Sequence, residues 1–150
     1  MKLRAAVLTL ILLLSTNWPS AGASRFSTVD ELKSEAERAF GQALDLWRDG
    51  QFAQLYDRTK GGRETREAFA RRLVAAPLKP ACCWEKMQEV SVRLDGDSIA
   101  IIKAKLGFEG RGDTEYQTGS FRLVREDDVW LISRSDIFSL AGSRKGKSSR

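Results

Sequence analysis

The chain has 150 residues, 30% of them charged and 42% hydrophobic, with a formal net charge of +5 and no histidine. That length holds one domain with a core of its own. The missing histidine removes the side chain that titrates nearest neutrality and the commonest zinc ligand, so a His-based triad or His metal site is excluded.

The basic charge sits at the two ends. Lys2 and Arg4 carry part of it, and Arg144, Lys145, Lys147 and Arg150 carry the rest. Without them the body from Ser24 to Gly142 is one charge negative. A nucleic-acid binder would gather Lys and Arg on one folded face among aromatics. That pattern is missing, and no nucleic-acid partner is expected. No motif asks for a metal or any other cofactor.

Residues 1–23 read as a signal peptide. Lys2 and Arg4 form a basic start, Ala5 to Leu14 an uncharged apolar run, and Ala21-Gly22-Ala23 a small-residue cleavage site. The run is about half of the roughly 20 residues that a bilayer requires. The expected location is therefore secreted or periplasmic. No transmembrane span is expected after cleavage, which leaves 127 residues.

The domain at 24–142 opens on a helix. Thr28-Val29-Asp30-Glu31 has the form of a capping box. Leu32, Ala36, Phe40, Ala43 or Leu44, and Trp47 recur at helical spacing and lay one apolar stripe over about five turns. Asp49-Gly50 ends it, glycine being free to take the left-handed conformation. A short helix follows from Phe52 to about Arg58, then the breaker Gly61-Gly62. A third helix runs from about Glu64 to Ala75, stopped by Pro77 and Pro80.

Period two then replaces period 3.6. Val90, Val92 and Leu94 alternate with polar residues, and Asp95-Gly96 is a turn. Ala100, Ile102, Ala104, Leu106 and Phe108 share one face of the second strand. Glu115 to Val124 is the third, with Gly119 a candidate bulge. Val129 to Ile137 is the fourth, apolar on both faces at its start and so placed inside the sheet. The tail at 143–150 is Ser, Lys, Arg and Gly and is expected to be disordered. Helices first and a meander of strands after is an α+β pattern, and the long helix must bury its stripe on the sheet.

The stretch Ala43-Leu44-Asp45-Leu46-Trp47-Arg48-Asp49-Gly50-Gln51-Phe52-Ala53-Gln54-Leu55-Tyr56 resembles the opening of nuclear-transport-factor-2-like domains, a cystatin-like superfamily that includes ketosteroid-isomerase-like members. Phe69 and Val129-Trp130-Leu131-Ile132 fit the same resemblance, which covers Leu32 to about Leu140. It implies a cone: a curved antiparallel four-stranded sheet wrapped round the long N-terminal helix, with two shorter helices and a pocket at the open end. Members include isomerases, dehydratases, polyketide cyclases and secretion-system subunits, so the fold does not supply a function. The catalytic branches often use an Asp or an Asp–His pair, and here the His is missing.

Several residues are candidates for a site. Trp47, Tyr56, Trp84, Phe108, Tyr116 and Trp130 are the aromatics from which a small-molecule pocket is built, each also a good core residue. Asp57, Glu85, Glu115 and Asp136 are candidate pocket carboxylates, and Asp136, set among apolar residues of the last strand, would have a raised pKa if buried unpaired. Cys82-Cys83 is the oddest feature. The pair fits a vicinal disulfide, two free thiols packed as small residues, or a link to another chain, and a redox role follows from the first or the last.

The reading these residues favour is an exported, non-catalytic domain that binds a small apolar molecule or an envelope protein. One alternative is an isomerase or dehydratase using a lone carboxylate, with Tyr56 or Tyr116 as oxyanion donor. Another is a structural domain that forms a homodimer through its sheet.

Overall fold

A computed structural model describes residues 28–110 and 112–142. The expected signal peptide at 1–23 and tail at 143–150 lie outside the described residues.

Helix α1 (Val29–Arg48) begins where the capping motif places it. Thr28 Oγ1 accepts from the Glu31 amide at 3.2 Å, and the Glu31 carboxylate takes the Thr28 amide at 2.7 Å. Two of the orphan N–H groups at the helix start are thereby satisfied. At the other end Gly50 takes φ +72°, the left-handed C′ conformation that ends the helix. Leu32, Ala36, Phe40, Ala43, Leu44 and Trp47 are all buried, as their spacing requires.

Helix α2 (Phe52–Asp57), a two-residue strand β1 (Thr59–Lys60) and helix α3 (Arg66–Val74) follow. Thr65 caps α3 by accepting from the Ala68 amide. A second two-residue strand, β2 (Lys79–Pro80), leads into a single 3₁₀ turn at Cys83–Lys86. Then come β3 (Met87–Leu94), β4 (Ile99–Glu109), β5 (Glu115–Glu126), β6 (Val129–Ser133) and a last helix, α4 (Arg134–Leu140).

The sheet runs β1-β6-β5-β4-β2, and β3 also pairs with β4. β2 and β3 pair with successive stretches of β4, at Phe108–Glu109 and at Ala100–Leu106. All pairings are antiparallel except that of β1 with β6. Among the described residues the sheet therefore has six strands, not four. The two additional ones have two residues each and show no period in the sequence. The α+β cone is as expected: the inward faces of β4 and β5 close on α1.

Three expectations need correction. The last strand stops at Ser133, and residues 134–140 form α4, not more strand. Ser133 causes the switch. Its side chain accepts from the Ser135 amide at 3.2 Å and caps the helix. Ile137, Phe138 and Leu140 then bury at helical spacing, and Asp136 rides on a helix. The described residues thus form four α-helices where three were expected. The bulge is not at Gly119, which pairs in unbroken register with Ala104. It lies on β3 between Gln88 and Ser91, where Glu89 takes φ 50°.

Turn chemistry sets the remaining registers. Asp127 and Asp128 have φ of 47° and 62°, the two positive values that a two-residue hairpin of the primed kind requires. They join β5 to β6, with Glu126 facing Val129.

The core is one continuous cluster. Phe40 meets Phe121 at 5.0 Å between ring centroids, and Trp47 meets Phe108 at 5.9 Å. Between α3 and α4, Phe69 packs on Phe138 at 5.4 Å. Truncating Phe40 should therefore expose what holds the cone. Phe40→Ala is expected to cost about 3–5 kcal/mol in urea unfolding, while Val74→Ala, on a 71% exposed residue, changes stability by less than about 0.5 kcal/mol. A loss at Phe40 below about 1 kcal/mol would contradict the packing.

Candidate functional site

The sequence-selected aromatics do not converge on one cavity. Phe108 and Trp130 are core residues on β4 and β6, at 0% and 4% exposure. The Trp130 indole N–H is buried and has no hydrogen-bond partner among the described residues. Trp84 stands out in solvent at 71% exposure, and Tyr116 is exposed on β5. The Tyr116 hydroxyl donates to Glu85 Oε1 at 3.5 Å, and Lys105 Nζ lies 4.8 Å from its ring centroid.

Tyr56 is half-buried, and its hydroxyl is committed to the Glu64 carbonyl at 3.0 Å. Its ring meets the edge of Phe69. The Arg134 and Arg66 guanidinium carbons lie 3.8 and 5.3 Å from its centroid. Arg134 also donates from Nε to Thr59 Oγ1 at 3.0 Å. This knot of α2, β1, α3 and α4 is a set of satisfied contacts that ties the helices to the sheet.

The candidate carboxylates separate in the same way. Asp57 is held by Arg66 through two bonds of 2.6 and 3.2 Å at an exposed position. Glu115 is exposed at the start of β5. Asp136 is half-buried in the first turn of α4, and desolvation raises its carboxyl above the usual carboxylate value. Among the described residues no group of three or more Cys, Asp or Glu is placed to hold a metal ion.

Two recesses mark the surface near the end of α1. One, of about 480 Å³, lies between α1 and α2 among Gln42, Asp45, Leu46, Asp49, Gln51, Gln54, Asp57 and Arg58. Seven of its eight lining residues are polar or charged, and two of its carboxylates are spoken for: Asp45 by Lys86 at 2.6 Å, Asp57 by Arg66.

The other has about 350 Å³ and draws its lining from more apolar residues. Its walls are Trp47, Phe52, Leu73, Ala76, Pro77 and Leu78, and its polar groups are Arg48, Lys79 and Glu109. The last turn of α1 brings Trp47 and Arg48, α2 brings Phe52, and α3 brings Leu73. The segment into β2 brings Pro77, Leu78 and Lys79, and the end of β4 brings Glu109. Apolar walls with a few convergent charges are the composition of a small-molecule site.

The charges there are only partly matched. Arg48 Nη1 is 3.7 Å from Asp49 Oδ1, and Arg48 Nε is buried with no hydrogen-bond partner among the described residues. Glu109 accepts the Cys82 amide at 3.3 Å on one oxygen, and Lys79 lies 3.7 Å from the other. Of the aromatics chosen from the sequence, Trp47 alone lines this recess. Arg48, Phe52, Leu78 and Glu109 were not singled out. Pro77 and Pro80 are helix stops in the sequence, and Pro77, Leu78 and Lys79 form one wall. In neither recess does a carboxylate stand beside a tyrosine, the pairing that the isomerase-like alternative needs.

Cys82 and Cys83 are joined to each other by a disulfide. Cys82 is half-buried, Cys83 is exposed, and Cys83 takes φ 61°.

No family model and no curated protein matches the chain. Solved structures do. Aln2 from a Streptomyces species superposes with a TM-score of 0.51 at 16% identity, over 76% of this chain and 98% of that one. A protein from Catenulispora acidiphila gives 0.46 at 19% identity, over 69% and 88%. At such identity the first match bears on the fold alone. A sheet curled round α1 is consistent with a nuclear-transport-factor-2-like fold.

Asp136 supplies a test of the local electrostatics. Its folded-state pKa lies above the unfolded one, so its contribution is intact at low pH and is lost as pH rises through the folded value. Asp136→Asn should therefore raise Tm at pH 7. The difference should fade as pH drops below ~3.9, where the acid is protonated folded or unfolded. An unchanged or lower Tm at pH 7 would show that the carboxylate is well solvated or paired.

Proposed function

We propose that this domain is an exported, non-catalytic binder of a small apolar molecule that carries an acidic group. The observation that supports it is the recess at the end of α1. Trp47, Phe52, Leu73 and Leu78 offer apolar walls, and Arg48 offers a guanidinium only loosely matched by Asp49.

The size suits one ring system or a short chain, since ligand pockets begin at roughly 300 Å³. Burying the apolar part contributes about 25 cal/mol per Å². A carboxylate on the ligand would meet Arg48 as a charge-assisted pair, with geometry that a neutral ester lacks. The interior of the cone is unavailable for the same purpose, because Phe40, Phe121, Trp47 and Phe108 fill it.

Thermal-shift measurements against fatty acids, aromatic acids, steroids and the matched neutral esters test this reading. Acids are expected to raise Tm more than their esters. Arg48→Gln should weaken acid binding about tenfold or more, since hydrogen bonds to charged groups are worth ~1.5–3 kcal/mol. Leu78→Trp should abolish binding by filling the recess. Equal shifts for acid and ester, or full binding by Leu78→Trp, would remove the recess as the site.

A further inference from the structure

We propose that the Cys82–Cys83 bridge is a thiol–disulfide exchange site that accepts electrons from a dithiol. This chemistry is independent of ligand binding in the recess.

The first ground is what the bridge cannot do. A disulfide stabilises a fold mainly by removing loop entropy from the unfolded chain, and the effect grows with the number of residues enclosed. Cys82 and Cys83 are neighbours, so the bridge encloses no loop. It links no two elements and staples nothing. The chain has only these two cysteines, so neither has another partner within it.

The second ground is position. Cys83 is exposed at the start of the 3₁₀ turn, and the next residue, Trp84, is 71% exposed. A thiolate can approach the Cys83 sulfur without opening the core. Cys83 also holds φ 61°, a left-handed conformation unfavourable for a non-glycine residue. Opening the bridge leaves this residue free to relax. Cys82, by contrast, is half-buried, and its amide is fixed to Glu109. The two sulfurs are thus unequal: one faces the incoming thiol, and the other is the leaving group.

One thiolate of the dithiol attacks Cys83 Sγ and forms a mixed disulfide. The Cys82–Cys83 bond breaks, and Cys82 leaves as thiolate and takes a proton. The second thiolate of the dithiol attacks its own sulfur in the mixed disulfide, and Cys83 leaves and is protonated. Two electrons and two protons pass to the pair, and the dithiol departs as its own disulfide.

The test uses the whole chain isolated without reductant. Native protein is treated with iodoacetamide before and after dithiothreitol, and its intact mass is measured. No adduct is expected before reduction and two after it, with the thermal melt unchanged. Cys82→Ser removes the leaving thiol, and its exposed Cys83 should take one glutathione from oxidised glutathione. Two adducts without reductant would show free thiols and overturn the proposal. So would a bridge reducible only in denaturant, a collapse of the melt on reduction, a disulfide-linked dimer on a non-reducing gel, or a Cys82→Ser variant that stays unmodified.

Discussion

The structure depends on the burial of one helical stripe by one curved strand face. Helix α1 has a polar outer side and an unbroken apolar inner side from Leu32 to Trp47. β4 offers Ala100, Ile102, Ala104, Leu106 and Phe108, all fully buried, at alternate positions. Small and large residues are mixed along this face, Ala100 and Ala104 with Ile102, Leu106 and Phe108. Each fully buried large side chain contributes about 1.5–3 kcal/mol, so this contact outweighs the exposed ion pairs, worth ~0–1 kcal/mol each.

That contact also decides where a ligand can go. A cone around a slimmer or shorter helix would leave an axial cavity. Here Phe40, Trp47 and their partners on the sheet occupy the axis. Free space is left where α1 ends and the chain turns through Gly50. There the helix no longer covers the rim of β4, and the segment from Pro77 to Pro80 bridges the gap without filling it. The recess is a consequence of helix length, fixed by Asp49-Gly50.

Much of this was legible in the residues. The capping box, the stripe of α1, its glycine stop and the inward face of β4 follow from periods and caps that are local in sequence. The α+β order of elements follows from the switch from period 3.6 to period two after Pro80. What was not legible is non-local. β1 and β2 are two-residue pairings, defined by β6 and β4 and by nothing in their own composition. The conversion of residues 134–140 to helix turns on Ser133 as a cap, which competed with a strand already in progress. The candidate site failed to show for the same reason. Its walls come from several separate elements, and Arg48, Phe52, Leu78 and Glu109 are each ordinary in their local setting. Aromaticity alone selected Phe108 and Trp130, where burial in the core was the stronger demand.

Glu109 joins the two features that the core does not explain. It closes β4, pairs Lys79 on β2, lines the recess, and accepts the Cys82 amide. Its neighbour two residues back, Gly107, has to be glycine: a Cβ there would run into the Glu85 backbone carbonyl. The 3₁₀ turn that carries Cys83 is therefore pressed directly onto β4, with no side chain between. The Cys82 amide on Glu109 and the Glu85 carbonyl over Gly107 are the contacts that seat the turn on the end of β4. The sulfur pair and the recess are separate in chemistry, yet they are mounted on the same end of the same strand.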